Sequence, residues 1–210
     1  SHDEVGNSGE WLGRGAAGTK ADSGVLSELP RAKARSGAAL TLLGPGIPMI
    51  WQGEEFLANN DFKHGLTTTW GQKTEWLDGT AEEKATPESQ ARIGHLNLYK
   101  DLIALRRSSD AFLPGAPISR VMTHNSDKVI GFRRDAANGD DSFLVFTHLG
   151  DANRTDYSVD LPEGQWKEVF NSDGERYGGT NTGNGGGVIS GDSVQQMVLP
   201  AGGTIVFKKV

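Results

Sequence analysis

Residues 118–148 read ISRVMTHNSDKVIGFRRDAANGDDSFLVFTH. Three runs, Ile118 to Thr123, Lys128 to Arg134 and Ser142 to His148, are separated by short polar stretches, and the second stretch carries the turn pair Asn138-Gly139. Such runs, rich in Val, Ile and Phe and bounded by turn residues, predict strands joined to their neighbours by tight connections. The pattern continues through Tyr157 to Leu161, Trp166 to Phe170, Val194 to Leu199 and Thr204 to Lys208, interrupted by Pro162-Glu163-Gly164 and Asp173-Gly174. Short strands at this spacing predict an antiparallel sandwich or barrel, and a β-sandwich is adopted for residues 113–210. Asn181 to Gly187 is glycine-rich and reads as loop. The segment from Ile118 onward is expected to fold as a unit of its own.

Upstream, the punctuation changes. Ser1 to about Leu29 carries Gly6, Gly9, Gly13, Gly15, Gly18 and Gly24, which break any sustained periodicity and predict loop. Pro30 suits a first helical turn, and the alanine- and leucine-rich stretch Arg31 to Leu43 predicts a helix stopped by Gly44-Pro45-Gly46. Ile47-Pro48-Met49-Ile50-Trp51-Gln52 is short, apolar and bounded by Gly46 and Gly53, the pattern of a strand buried on both faces of a parallel sheet. After a polar stretch from Glu54, Thr86-Pro87-Glu88 offers a cap, a first-turn proline and an acid at the positive end of a helix. Ile93, Leu96, Tyr99, Leu102, Ile103 and Leu105 then follow with amphipathic spacing. Ser108 to Pro117 closes that helix and marks the expected domain boundary. Residues 1–112 are therefore read as α/β and residues 113–210 as all-β.

Composition narrows the function classes. The chain has 210 residues, a formal net charge of -6 and no cysteine. It has no Lys/Arg cluster of the kind that phosphate binding demands, so nucleic acid is not an expected partner. Its apolar runs fall short of the roughly 20 residues of a membrane span, so a membrane is not expected either. Without cysteine there is no thiol nucleophile or Cys-ligated metal. His64, His95, His124 and His148 lack metal-ligand spacing and read as scattered surface histidines, and the acid-rich stretches lack the ladder of a calcium loop. No metal and no cofactor are expected.

Four blocks in a fixed order resemble the alpha-amylase family of glycoside hydrolases, most closely its glucan-branching and related intracellular members. Ser1-His2-Asp3-Glu4-Val5 is similar to the motif after the seventh barrel strand, and Gly46 to Glu55 to the eighth strand and its exit. Leu98 to Arg107 resembles the last barrel helix. Lys128 to Arg134, with Trp166 to Asp173, resembles the family's C-terminal all-β domain. The resemblance implies the last βα units of a (β/α)8 barrel followed by a β-sandwich. It also implies that the chain is a piece of a longer enzyme, whose location the sequence leaves open, the cytoplasm being favoured only weakly. The implied substrate is an α-glucan such as starch, glycogen or a maltooligosaccharide, and the implied partner is the N-terminal remainder of the barrel.

Retaining glycosidases of this kind use two carboxyls flanking the scissile bond, and the resemblance adds a third that grips the sugar. By its place in the motif, Asp3 matches that third carboxylate, and His2 would hydrogen-bond the same sugar. The nucleophile and the general acid are assigned by the resemblance to earlier strands, so this piece alone is expected to be inactive. Glu54 and Glu55 are read as a solvated or ion-paired rim, Trp51 as core, and Trp11, Phe56, Trp70 and Trp76 as loop aromatics that either pack the long loops or stack on a sugar face. In the β-domain Trp166 is read as core, which leaves that domain as a structural cap rather than a glucan-binding module.

Overall fold

The computed structural model describes residues 27–58, 71, 73–74, 77–139, 141–191 and 193–210. Helix α1 spans Glu28–Leu43 and ends where the Gly44 N–H bonds back to the Leu40 carbonyl. Its buried side is built largely from small residues, Ala32, Ala34, Ser36, Ala38 and Ala39, with Leu42 and Leu43 at the end. Small side chains let the helix lie close to the sheet, where the Ser36 hydroxyl donates to the Gly202 carbonyl at 2.7 Å.

Helix α2 is the single turn Ala81–Lys84, closed by a capping box between Thr80 and Glu83. Helix α3 follows over Pro87–Arg107. Its start obeys the sequence: Thr86 Oγ1 accepts from the Ser89 N–H at 3.2 Å, and Pro87 occupies the first turn, where its missing N–H costs nothing. Arg106 and Arg107 sit in the last turn, against the negative end of the helix dipole.

Eight strands follow: β1 Ile118–His124, β2 Val129–Asp135, β3 Ser142–His148, β4 Arg154–Val159, β5 Gln165–Asn171, β6 Val188–Ser190, β7 Gln195–Leu199 and β8 Thr204–Lys209. Six form one sheet in the order β1-β2-β3-β8-β5-β6, and β4 pairs with β7 in a second. Every pairing is antiparallel.

The molecule is layered as helices, large sheet, small sheet. Phe143, Val145 and Val206 face α1 and α3 and share a core with Ala38, Leu42, Leu98, Tyr99, Leu102 and Phe112. Their strand neighbours Leu144, Phe146, Ile205 and Phe207 point the other way, into a second core with Tyr157, Val159, Trp166, Met197 and Leu199. All seven residues of β3 are buried, which explains the apolar run Phe143 to Phe146 at its centre: a strand covered on both faces does not alternate. Trp166 is fully buried, as read from the sequence, and its indole N–H donates to the Pro162 carbonyl at 2.8 Å.

Three features depart from expectation. The sandwich is unequal, six strands against two, because the helices cover the face that a second large sheet would otherwise need to bury. Strand β6 emerges directly from the glycine-rich loop and is only three residues long, too short to leave a periodic signature. Ile47 to Gln52 is not a strand. No strand lies beside it among the described residues, and a parallel strand exists only with a ladder partner. Ile47 is instead 86% exposed and Met49 59%. Arg106 holds the start of this segment, donating to the carbonyls of Leu42 and Gly44 and to that of Gly46 at 2.7 Å.

Candidate functional site

Asp3 and His2 lie outside the described residues, as do Trp11, His64, Trp70 and Trp76. The described part of the candidate site is the turn that follows Gln52. Gly53 takes φ 94, a left-handed conformation that glycine adopts without steric cost, and lets the chain fold into the short helical turn Glu54–Phe56. Both carboxylates then fold back on the backbone that precedes them. Glu54 Oε2 accepts from the Trp51 N–H at 3.2 Å, and Glu55 Oε2 from the Gly53 N–H at 2.7 Å.

Burial raises the Glu54 carboxyl above the usual range, with the charge of Glu55 adding to the effect and the Trp51 N–H opposing it. The turn is fixed from below. Phe56 and Ala58 are buried against Trp51, Leu77 and Leu96, which matches the packing role read for Phe56. Arg92 of α3 donates to the carbonyls of Phe56 and Leu57 while its other arm meets Glu88 at 2.6 Å. Tyr99 is buried close by, its phenol held neutral by burial and by the charges of Glu54 and Glu55. The two glutamates thus order the loop through its backbone.

The block Asn171-Ser172-Asp173 reveals its purpose in the joint between helices and sheet. Asn171 Nδ2 donates to the Thr182 carbonyl and its Oδ1 accepts from the Asp173 N–H. Ser172 Oγ accepts from the Thr204 N–H at 2.8 Å. Asp173 accepts from Thr180 Oγ1 and the Thr182 N–H, and also from Arg35 Nη2 of α1 at 3.1 Å. Glu28 meets the same guanidinium at 2.6 Å. A second tie runs from Tyr177 Oη and Arg176 Nε, both 2.8 Å from Asp101 Oδ2 on α3. Tyr177 is a link of this joint, with its ring on Phe170.

Two of the histidines correct the surface reading. His95 is 1% exposed within α3, where burial, and secondarily Arg35, push its imidazole down to about 3. His148 is equally buried, with Nδ1 3.1 Å from the Pro200 carbonyl oxygen. Burial lowers it too. Sequence spacing could not place either, because each is buried by elements distant in the chain. Among the described residues no three His, Asp or Glu side chains gather as metal ligands.

Residues 121–210 match the family described as "Alpha amylase, C-terminal all-beta domain". The chain is 30% identical over 192 residues to a 1,4-alpha-glucan branching enzyme GlgB of Jannaschia sp. (strain CCS1), covering 90% of this chain and 25% of that protein. It is 31% identical over 195 residues to the enzyme of the same description from Burkholderia pseudomallei (strain 668), covering 90% and 23%. It therefore spans about a quarter of the length of the curated relatives it matches. Among solved structures, an alpha-amylase from H.orenii superposes with a TM-score of 0.58 at 23% identity, over 86% of this chain and 36% of that one. The pullulanase SAP of Group B Streptococcus superposes at 0.63 and 16% identity, over 95% and 31%. At these identities the two structures speak for the fold.

Proposed function

We propose, because residues 121–210 match the alpha-amylase C-terminal all-beta domain, that the chain is the C-terminal portion of an enzyme that cleaves or transfers α-1,4-glucan chains. The similarity to branching enzymes covers 90% of the chain and so reaches well upstream of the β-domain. The observation that carries the reading is the apolar, exposed stretch Ile47 to Ile50, beside which no strand lies among the described residues. It is clamped at its start by Arg106 and followed by the Glu54–Phe56 turn. Such a segment fits a barrel strand awaiting neighbours, which the N-terminal remainder of the barrel would supply. On this reading residues 1–112 are the end of the catalytic barrel and residues 113–210 the domain that caps it.

The chemistry proposed is retaining. One carboxyl attacks the anomeric carbon, a second about 5 Å away protonates the leaving oxygen, and both belong to the upstream part. Asp3 would accept hydrogen bonds from sugar hydroxyls, most strongly as the ring distorts toward the transition state, and His2 would bind the same sugar. Glu54 and Glu55 are assigned to ordering the loop, since one oxygen of each accepts from the backbone N–H groups of Trp51 and Gly53. The 210-residue chain should therefore leave amylose unchanged in iodine-staining and reducing-end assays, whereas the parent enzyme, with its upstream sequence restored, should convert it. Conversion by the short chain at the parent's rate would overturn this division of roles.

A further inference from the structure

Among the described residues, two arginines withdrawn from solvent have no carboxylate beside them. Arg31, Arg35, Arg92, Arg133, Arg154 and Arg176 each lie within ion-pair distance of an Asp or Glu. Arg107 and Arg120 are exposed. Arg134 is fully buried and Arg106 half-buried, and neither meets an acid.

Their hydrogen bonds go to backbone carbonyls instead. Arg134 of β2 donates from Nε to the Ala111 carbonyl at 2.9 Å and from Nη2 to that of Leu113 at 3.0 Å, which orders the short turn Asp110–Phe112 after α3. Its Nη1 is buried without a hydrogen-bond partner. Arg106, in the last turn of α3, directs its guanidinium at the carbonyls of Leu42, Gly44 and Gly46. Carbonyl dipoles solvate a guanidinium without cancelling its charge, and arginine does not deprotonate in a protein. Burial opposes the charge of both, and Arg106 opposes that of Arg134 as well. Two like charges thus stand near each other, partly desolvated, with no acid to offset them. Such an arrangement costs stability until an anion completes it.

The surroundings select the anion. Ile103, one turn before Arg106, is exposed, as are Leu113, whose carbonyl holds Arg134, and Ile47, next to Gly46. Exposed apolar side chains set about a cationic pair mark a protein interface rather than a site for a dissolved ion. The anion that a protein surface offers is a carboxylate, which a guanidinium binds through two parallel hydrogen bonds. The patch is continuous with the stretch Ile47 to Ile50, beside which no strand lies among the described residues. We infer that Arg106 and Arg134 together receive an Asp or Glu side chain carried by the N-terminal remainder of the barrel. The carboxylate seats on Arg106, the less buried of the two, and offsets both charges. The identity of the partner rests on the function proposed above, while the uncompensated pair does not.

The test uses the parent enzyme carrying Arg106→Lys. A water-soluble carbodiimide activates a carboxylate, a neighbouring amine attacks its carbonyl carbon and gives up a proton, and the urea leaves with the oxygen, so an amide bond records the contact. Mass spectrometry should find the introduced amine joined to an Asp or Glu upstream of Ser1. No such bond, or one confined to residues 1–210, overturns the inference. A second comparison does not depend on how lysine sits. Arg106→Met removes the ties to Leu42, Gly44 and Gly46 from the 210-residue chain and from the parent alike, but only in the parent does it strand a carboxylate. The melting temperature of the parent should therefore fall about twice as far or more. Equal falls overturn the inference. Turnover of amylose by the wild-type parent is read separately: an active parent without the cross-link sinks this inference alone, and an inactive parent with it sinks the proposed function alone.

Discussion

Arg35 Nη2 lies 3.1 Å from Asp173 Oδ1, a contact between side chains that are both buried and stand 138 positions apart in sequence. It joins the helix layer to the loop that leaves β5. A buried pair is costly to form but more costly to break, because removing one partner strands the other without solvent. Arg35→Met should therefore destabilise the chain by about 3 kcal/mol, and Arg35→Met with Asp173→Asn by less than the sum of the single changes. Denaturant unfolding of the single and double variants reads the difference. Additive effects would show that the two groups do not interact.

Helix α3 touches the same loop through a residue with no side chain. A Cβ on Gly94 would stand 2.8 Å from the Tyr177 carbonyl carbon and 3.0 Å from the Gly178 nitrogen, both backbone atoms. On an open helix, Gly→Ala stabilises by about 1 kcal/mol. Here the clash should reverse the sign and lower stability by roughly 1–3 kcal/mol. A melting temperature above that of the wild type would mean that α3 does not approach the loop so closely.

His95 makes stability depend on pH. In the unfolded chain its imidazole titrates near 6.5, whereas burial first and Arg35 second hold the folded value down to about 3. Between those values the unfolded chain binds a proton that the folded one refuses. Stability is thus highest above pH 6.5 and falls as pH drops toward 3, with a limiting slope of about 1.4 kcal/mol per pH unit for one site. His148, also lowered by burial, contributes with the same sign. His95→Gln should flatten the slope measured between pH 6.5 and 4.5 by up to one proton. An unchanged slope would show that His95 is protonated in the folded state.

Local chemistry was legible in the sequence where a short range decides it. Thr86 and Pro87 start α3 because capping needs only the next three residues, and the seven strands from Ile118 to Lys208 declare themselves by composition and turns. Trp166 was legible as core for the same reason. What escaped is decided at long range. Ile47 to Gln52 has the composition of a buried strand, but strand formation depends on neighbours that the described residues do not supply. His95 and His148 looked like surface residues because nothing adjacent in sequence buries them. The contacts among His124, Asp127, Arg154 and Tyr157 escaped likewise. His124 and Asp127 are close in sequence, yet Arg154 and Tyr157 reach them only because β4 lies across the sheet edge. Asp3 and His2 were legible only as a resemblance, since a His-Asp pair by itself specifies no chemistry.

We propose that this chain completes a glucan-processing barrel to which Asp3 brings one carboxylate. The most direct test is the turnover of the parent enzyme on amylose with Asp3→Asn beside the wild type. A neutral amide keeps the shape but loses the charge-assisted hydrogen bonds to the distorting sugar, so kcat should fall by at least about a hundredfold while substrate affinity changes far less. Turnover near the wild-type value in a folded Asp3→Asn enzyme would contradict the account.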